Sequence, residues 1–342
     1  MNLIARTGRF AERAPVPDFL LNAGIQELCA NTQRGLADPD KGFEARFARE
    51  MANYPIALHA DAANTQHYEL PPSFFGHCLG PRRKYSCCLY PKGDETLAEA
   101  EGLALEASAR HAGLADGQTI LELGCGWGSL TLWMAEHFPG SHITAVSNSA
   151  PQRAYIEDCC RREHFSNVRV ITADMNDFDI RNQFDRIVSI EMFEHMANWR
   201  ALFGRAQSWL KRDGVLFIHI FTHATTPYRF ELDDKDDWIA QHFFTGGIMP
   251  SHGLIRQFDD LFHVEEEWRW NGVHYAKTAL QWLANYDHNA EQIAPILNEI
   301  YGDDDAYMWK RRWRMFFLAT AGLFGFEGGN TWGVSHYRLR LV

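Results

Sequence analysis

Short apolar strands alternate with helix-patterned segments through the middle of the chain, and this alternation limits the possible folds more than any other feature. The predicted strands cover residues 119–123, 142–146, 168–171, 184–190 and 214–220. The predicted helices cover residues 96–111, 129–138, 151–163 and 199–210. Because repeated strand–helix units form parallel sheets with helices on both faces, the sequence predicts a Rossmann-like α/β fold.

The remaining segments are expected to be additions to this sheet. Two late strands are predicted at 264–270 and 334–341, after insertions of about 40 and about 60 residues. We therefore divide the chain into an N-terminal helical segment (1–65), a ligand-binding core with its preceding lid (66–220) and a region of cap insertions and final strands (221–342). Since ligands of open parallel sheets bind beyond the carboxyl ends of the strands, a helical cap there would enclose a substrate.

The charge balance and the cysteines argue against several classes of protein. A net charge of −11 disfavours a nucleic-acid-binding protein, which needs a basic face. No stretch of about 20 apolar residues and no secretory signal is found, so we expect no stable membrane insertion. The seven cysteines contain no Cys-x-x-Cys pair, which argues against a metal centre and a disulfide framework. A cytoplasmic protein is the simplest interpretation.

A glycine-rich loop between the strand 119–123 and the helix 129–138 is the first candidate ligand site. Gly124, Gly126 and Gly128 follow Glu122 at a G-x-G-x-G spacing, whereas loops that bind a pyrophosphate have G-x-G-x-x-G. Glycines let a ligand approach the backbone closely, and an acidic residue suits a ligand with an ammonium group. The spacing favours S-adenosylmethionine (SAM), and a purely structural turn is the alternative.

Two carboxylates and a histidine follow the strand 184–190. Glu191 and Glu194 are three residues apart and would share one face of a helical turn, with His195 beside them. An alkylammonium, with a pKa of about 10 like that of lysine, must lose its proton before its nitrogen can attack a methyl group. Carboxylates can bind such a cation and a histidine can accept its proton, so the cluster suits methylation of an amine. The alternative is that Glu194 and His195 brace the next helix.

Three runs in the chain resemble the cyclopropane-fatty-acid synthase superfamily, and within it the coclaurine N-methyltransferase branch, which methylates benzylisoquinoline-type amines. These runs are residues 85–88 (Tyr-Ser-Cys-Cys), 122–128 (Glu-Leu-Gly-Cys-Gly-Trp-Gly) and 191–195 (Glu-Met-Phe-Glu-His). The resemblance covers residues 65 to 342. It implies a class I SAM-dependent methyltransferase fold, with SAM as cofactor, S-adenosylhomocysteine as product and a small amine as substrate.

The resemblance also implies which residues bind the cofactor. Tyr85 and Ser86 would close over the methionine end of SAM, and the glycines of the loop would line its backbone. The ribose side would be taken by Ser147, Asn148 and Gln152, where most SAM enzymes have an acidic residue. Asp174 and Met175 would frame the adenine.

A second interpretation within the same superfamily stays open, namely an enzyme that modifies unsaturated lipid acyl chains as cyclopropane synthases do. Cyclopropane synthases hold a bicarbonate with a Cys, a Glu, a His and a Tyr, and Cys87, Glu194, His219 and Tyr275 occupy the matching places here. Those enzymes usually have Gly where this chain has Glu191, which favours an amine over a lipid acyl chain. His219 could equally be a core histidine. The expected substrate pocket comprises Tyr68, Cys87, His219, Phe221, Tyr275 and Trp332. The amine itself and the oligomeric state, including a homodimer, are left open.

Overall fold

A seven-stranded sheet forms the centre of the structure, a computed structural model that describes residues 12, 14–37, 39–58, 70–230, 243 and 245–342. In chain order its strands are β1 (Thr119–Leu123), β2 (His142–Ser147), β3 (Val168–Thr172), β4 (Phe184–Ile190), β5 (Leu210–His223), β8 (Phe262–Asn271) and β9 (Trp332–Leu341). A separate two-stranded ribbon pairs β6 (Tyr228–Arg229) with β7 (Ile248–Met249). The order of the large sheet is β3-β2-β1-β4-β5-β9-β8.

The sheet is mixed in direction. Strands β1 to β5 are mutually parallel, and β9 runs antiparallel to both β5 and β8. Helices cover both faces of the parallel part, which explains why its strands are almost continuously apolar. The predicted α/β class and all seven predicted strands are confirmed. Only β5 differs notably, because it begins at Leu210 instead of residue 214 and passes through a register shift against β4.

Nine α-helices surround the sheet in the part of the chain that is described. They are α1 (Asp18–Leu36), α2 (Phe43–Met51), α3 (Pro72–Cys78), α4 (Leu97–Ala112), α5 (Ser129–His137), α6 (Ala150–Arg162), α7 (Trp199–Trp209), α8 (Val273–His288) and α9 (Ala290–Gly325). The boundary of α4 is set by a capping box, in which Thr96 and Glu99 each satisfy the other's backbone N–H. Helix α9 is interrupted at Gly302, whose φ is 72°.

Helices α8 and α9 form an aromatic cap, as the helical pattern of the second insertion predicts. Trp282, Trp313 and Phe317 are buried between these helices, and Phe74 of α3 packs against Trp313. Helix α1 lies on α9, where Arg314 binds both Asp18 of α1 and Asp287 of α8. The basic residues of α9 are thus partly used for packing within the chain. None of the helices described is long and apolar enough to cross a membrane.

Candidate active site

A cavity opens at the carboxyl ends of β1, β2 and β4, where an open α/β sheet binds its ligand. It holds about 1170 Å³ of space free of atoms, its open mouth included. Twelve of the residues predicted from the sequence line it: Tyr85, Ser86, Glu122, Gly124, Gly126, Ser147, Asn148, Gln152, Asp174, Met175, Glu191 and His195. The elements that carry them are far apart in the chain, and the sheet brings their ends together.

The three glycines of the loop have different roles. All three have positive φ, which L-residues with a side chain rarely adopt. A Cβ on Gly126 would project into open space, so the backbone there is accessible to a ligand. Gly128 was predicted to contact the cofactor but does not line the cavity. A Cβ at Gly128 would lie 2.6 Å from Cγ1 of Ile156, so this glycine lets α5 and α6 pack closely.

Glu122 places a carboxyl group in the floor of the cavity. It is fully buried at the end of β1, and the Thr131 hydroxyl donates to it at 2.5 Å. Burial raises the pKa of Glu122 to about 8, although the hydrogen bond from Thr131 acts in the opposite direction. This carboxyl is therefore largely protonated at neutral pH, and a cationic ligand would favour its ionised form.

The end of β2 presents an amide and hydroxyls where the resemblance places a ribose. The Ser147 hydroxyl donates to Oε1 of Gln152 at 2.6 Å, which orients the amide. Nε2 of Gln152 and Oγ of Ser129 are buried and have no hydrogen-bond partner among the residues described, and both residues line the cavity. Such groups are normally satisfied, so these donors suit the oxygen atoms of a ligand. The set fits SAM, which carries ribose hydroxyls and a carboxylate.

The N-terminal segment completes the wall of the cavity, which the sequence did not indicate. Ala57 and Leu58 line it, and the side chain of Asn176 holds Ala57 by accepting from its N–H and donating to its carbonyl. Apolar residues in a segment with no recognised motif give no indication of such a role.

Three groups converge on the carboxylate of Glu191. The Cys87 N–H donates to Oε1 at 2.9 Å, the Tyr275 hydroxyl donates to Oε2 at 2.6 Å, and Nε2 of His219 lies 3.1 Å from Oε1. Burial and the nearby Lys84 keep the pKa of His219 well below its usual value. The neutral imidazole therefore donates from Nε2 to the carboxylate. Three donors on one carboxylate support its ionised form, although burial itself raises the pKa of Glu191.

Glu194 lies next to Glu191, but not on a shared helical face as predicted. The chain turns through Glu191 at φ 46° and then forms a short 3₁₀ helix, Phe193–His195. Glu194 is buried, and neither carboxyl oxygen has a hydrogen-bond partner among the residues described. Burial and the charge of Glu191 raise the pKa of Glu194 well above its usual value. Burial therefore disfavours the charged form of this carboxyl.

Lys84 is a buried cation that the sequence analysis missed. Its side chain is fully buried beside the cavity, and its ammonium donates to Ser86 Oγ and to the Cys87 carbonyl at 2.7 Å. Its charge lowers the pKa of Glu191. A lysine next to a tyrosine and a serine looks like an ordinary surface residue, so only its burial reveals this role.

The remaining predicted pocket residues lie elsewhere. Phe221 and Trp332 are buried at the ends of β5 and β9 and do not line this cavity. Phe221 packs against Phe324 of the cap, and the indole N–H of Trp332 donates to the Tyr228 hydroxyl at 3.2 Å. Tyr68 lies outside the described residues. Among the residues described, no group of three or more His, Cys, Asp or Glu side chains could hold a metal ion.

Comparison with known sequences places this site among SAM-dependent enzymes. Residues 58–326 match the family model of mycolic acid cyclopropane synthetase. The (S)-coclaurine N-methyltransferase of Thalictrum flavum subsp. glaucum is 36% identical, over 85% of this chain and 81% of the relative. The cyclopropane-fatty-acyl-phospholipid synthase of Escherichia coli K12 is 29% identical, over 79% of this chain and 66% of the relative.

Solved structures agree with these sequence matches. A crystal structure of coclaurine N-methyltransferase bound to N-methylheliamine and S-adenosylhomocysteine superposes with a TM-score of 0.95 at 32% identity. That match covers 99% of this chain and 100% of the other. A cyclopropane synthase from Mycobacterium tuberculosis gives a TM-score of 0.68 at 24% identity, over 83% and 98% of the two chains, and so shares the fold.

Proposed function

The chain belongs to the mycolic acid cyclopropane synthetase family, and from this premise we propose that it is a SAM-dependent N-methyltransferase of a small cyclic or aromatic amine. The relatives that support this proposal are plant enzymes that methylate benzylisoquinoline-type amines, and they match over most of the chain. An amine of the tetrahydroisoquinoline type is the substrate class that these relatives and the buried carboxylates favour.

The observation that carries the proposal is the position of the Glu191 carboxylate. It accepts hydrogen bonds from Cys87, His219 and Tyr275, the residues that match the bicarbonate ligands of cyclopropane synthases. We infer that this carboxylate of the chain takes the place of a free anion and that bicarbonate is not a cofactor of this enzyme. Glu191 also lines the cavity, so its charge can attract an ammonium group.

The residues of the site suit direct transfer of a methyl group to an amine. SAM, when bound, supplies an electrophilic methyl group on a sulfonium. Glu191 provides negative charge for the substrate ammonium, and Glu191 or His195 on the cavity wall accepts its proton. Holding both reactants in line contributes several kcal/mol to the rate by itself. The glycine loop and the polar end of β2 orient the cofactor with its methyl toward these groups.

A labelled methyl group tests the proposal against lipid modification. The purified protein is given SAM with a fully deuterated methyl group, together with either 1,2,3,4-tetrahydroisoquinoline or unsaturated phospholipid vesicles. We expect an amine product that keeps all three deuterium atoms, detected by mass spectrometry. A lipid product that keeps only two would mean that a proton left the methyl group, as in cyclopropane formation, and would overturn the proposal.

The matched variant is Glu191→Gln, which keeps the shape of the side chain and removes its charge. We expect amine methylation to fall by about two orders of magnitude, within the usual range for acid–base catalysis. SAM affinity, measured by calorimetry, should change little because Glu191 is only one of many residues on the wall. A wild-type rate in this variant would remove Glu191 from the mechanism.

A further inference from the structure

A short segment without helix or strand structure, the strap (residues 54–58), lies between two loops of the cavity wall. One is the adenine loop (residues 174–178), which follows β3 and which the resemblance assigns to the adenine of SAM. The other is the His195 turn (residues 191–198), which follows β4. Each of the three contributes residues to the wall, among them Ala57, Met175 and His195. The strap therefore borders both the proposed cofactor site and the proposed amine site.

The side chain of Asn176 ties the strap to the adenine loop by two hydrogen bonds. Its Oδ1 accepts from the Ala57 N–H at 3.0 Å, and its Nδ2 donates to the Ala57 carbonyl at 3.1 Å. An amide suits this place because it offers an acceptor and a donor side by side, one for each backbone group of Ala57. Asn176 does not itself line the cavity, so any effect on the site passes through Ala57.

The strap is also tied to the His195 turn. The Ile56 carbonyl accepts from the Ala197 N–H at 2.7 Å. Ala57 pairs with Met196 in an isolated antiparallel bridge. These contacts begin one residue after His195, so a shift of the strap moves the backbone that carries this side chain.

Helix α7 holds both loops independently of the strap. Arg205 donates to the carbonyls of Met175 and Asn176 at 2.8 and 2.7 Å, which anchors the adenine loop. By contrast, the hydrogen bonds that Ile56 and Ala57 make with described residues all run to the two loops. The position of the strap therefore follows that of the adenine loop and of the His195 turn together.

We propose that Asn176 is a positioning residue, which couples the binding of the cofactor to the placement of His195 through the strap. This inference rests on the proposed N-methyltransferase function, in which His195 is one of the groups that can accept the ammonium proton. When the cofactor is bound, the adenine loop is fixed, Asn176 fixes Ala57, and the strap fixes the backbone after His195. The amine is then bound best once the cofactor is in place, which brings the two reactants into line before transfer.

The test measures how strongly S-adenosylhomocysteine promotes the binding of 1,2,3,4-tetrahydroisoquinoline, which needs no turnover. The Kd of the amine is determined by calorimetry with and without saturating S-adenosylhomocysteine. We expect the wild type to bind the amine at least about fivefold more tightly with it, as is usual for two coupled sites. In Asn176→Ala and Asn176→Asp the ratio should fall below about twofold. The first lacks both hydrogen bonds, and the second keeps the shape but faces the Ala57 carbonyl with an oxygen.

The matched control is Asn167→Ala, which should keep the wild-type ratio. It removes a single amide contact, from Nδ2 of Asn167 to the Phe138 carbonyl at 3.1 Å, and neither residue lines the cavity. Hydrogen exchange of the wild type gives a second measurement that needs no variant. Binding of S-adenosylhomocysteine should slow exchange of the Ala57 and Ala197 amides together with that of the adenine loop.

Each outcome decides the question. A ratio that falls only in the two Asn176 variants supports the inference. A ratio near one in the wild type, or an unchanged ratio in both Asn176 variants, overturns it, because a merely structural loss weakens amine binding equally in both conditions. Exchange that slows in the adenine loop but not at Ala57 and Ala197 overturns it too, whether or not the variants fold.

Failure of the proposed function is recognised separately. If the deuterated SAM gives no methylated amine, that function fails and the inference falls with it. A methylated amine together with an unchanged ratio removes the inference alone.

Discussion

Glu191 adopts a backbone conformation that is unfavourable for its residue type. Its φ of 46° lies in the left-handed region, which costs a residue with a side chain about 1 to 2 kcal/mol relative to glycine. The resemblance implies glycine at this position in the cyclopropane synthases that hold a bicarbonate. The strain persists because Cys87, His219 and Tyr275 all hold the carboxylate. We therefore expect this single side chain to separate amine methylation from lipid modification at this site.

Glu191→Gly is expected both to remove the backbone strain at this position and to open the anion site. Amine methylation should fall by about two orders of magnitude, because the charge near the ammonium is lost. Added formate or bicarbonate should restore part of the rate, since the three donors would bind the anion. Rates are measured against anion concentration, with Glu191→Ala as the control that keeps the positive φ. If neither anion restores activity in either variant, the three donors do not form an anion site.

Lys84→Met is expected to change the pH dependence of turnover. Lys84 lowers the pKa of Glu191, so removing its charge raises that pKa, and Glu191 then stays protonated to a higher pH. The acidic limb of the rate profile should therefore move to higher pH. The measurement is kcat against pH with SAM and amine saturating, and Lys84→Arg should keep the wild-type limb. If the acidic limbs of wild type and Lys84→Met superimpose and only the KM for SAM rises, Lys84 acts in cofactor binding alone.

At the scale of secondary structure, the sequence predicts the regular elements well and the contacts between them poorly. Strand–helix alternation places β1 and β4 at their observed residues, because period and length are local properties. The resemblance to the cyclopropane-fatty-acid synthase superfamily predicts that Cys87, His219 and Tyr275 lie in one site. That they converge on Glu191 could not be predicted, because it depends on where α8 docks against the sheet. The wall supplied by Ala57 is likewise a product of tertiary packing.

The junction between β8 and α8 gives a prediction at this scale. A side chain on Gly272 would overlap the backbone carbonyl oxygens of Trp332 and Phe324, which cannot move independently of β9 and α9. Gly272→Ala should therefore displace α8, which carries Tyr275, and lower the free energy of unfolding by about 3 kcal/mol. Denaturant unfolding measures this. Gly102→Ala in α4, where a Cβ meets nothing within 4 Å, should instead stabilise by about 0.5 to 1 kcal/mol. Equal changes in the free energy of unfolding in the two variants would show that the backbone around Gly272 has room for a side chain.

For the whole molecule, Glu122 makes stability depend on pH. Its pKa is about 8 in the folded protein, whereas an unfolded glutamate titrates near 4.5. Between these values the folded protein holds a proton that the unfolded chain has lost, so stability falls as pH rises. From about pH 6.5 to about pH 8 this loss should reach about 2 kcal/mol. Burial also raises the pKa of Glu194, which adds in the same direction.

Melting curves of the ligand-free protein at these two pH values measure the effect. Glu122→Gln should flatten the dependence, since it carries no titrating proton there. Added SAM should also reduce the dependence, because its positive charge favours ionised Glu122. If the stability of Glu122→Gln falls with pH as steeply as that of wild type, the Glu122 carboxyl ionises normally in the folded protein.

The position of β9 has a consequence for how the chain is made. Leu216 of β5 pairs with Leu339, so more than 100 residues are synthesised between the two partners. Until β9 emerges from the ribosome, β5 is an open edge that can pair with another chain, and β8 has no partner in the sheet. Contacts so distant in sequence also form slowly. The nascent protein therefore carries an exposed strand edge from the synthesis of β5 until β9 has emerged, and this is the interval in which chaperones are most needed.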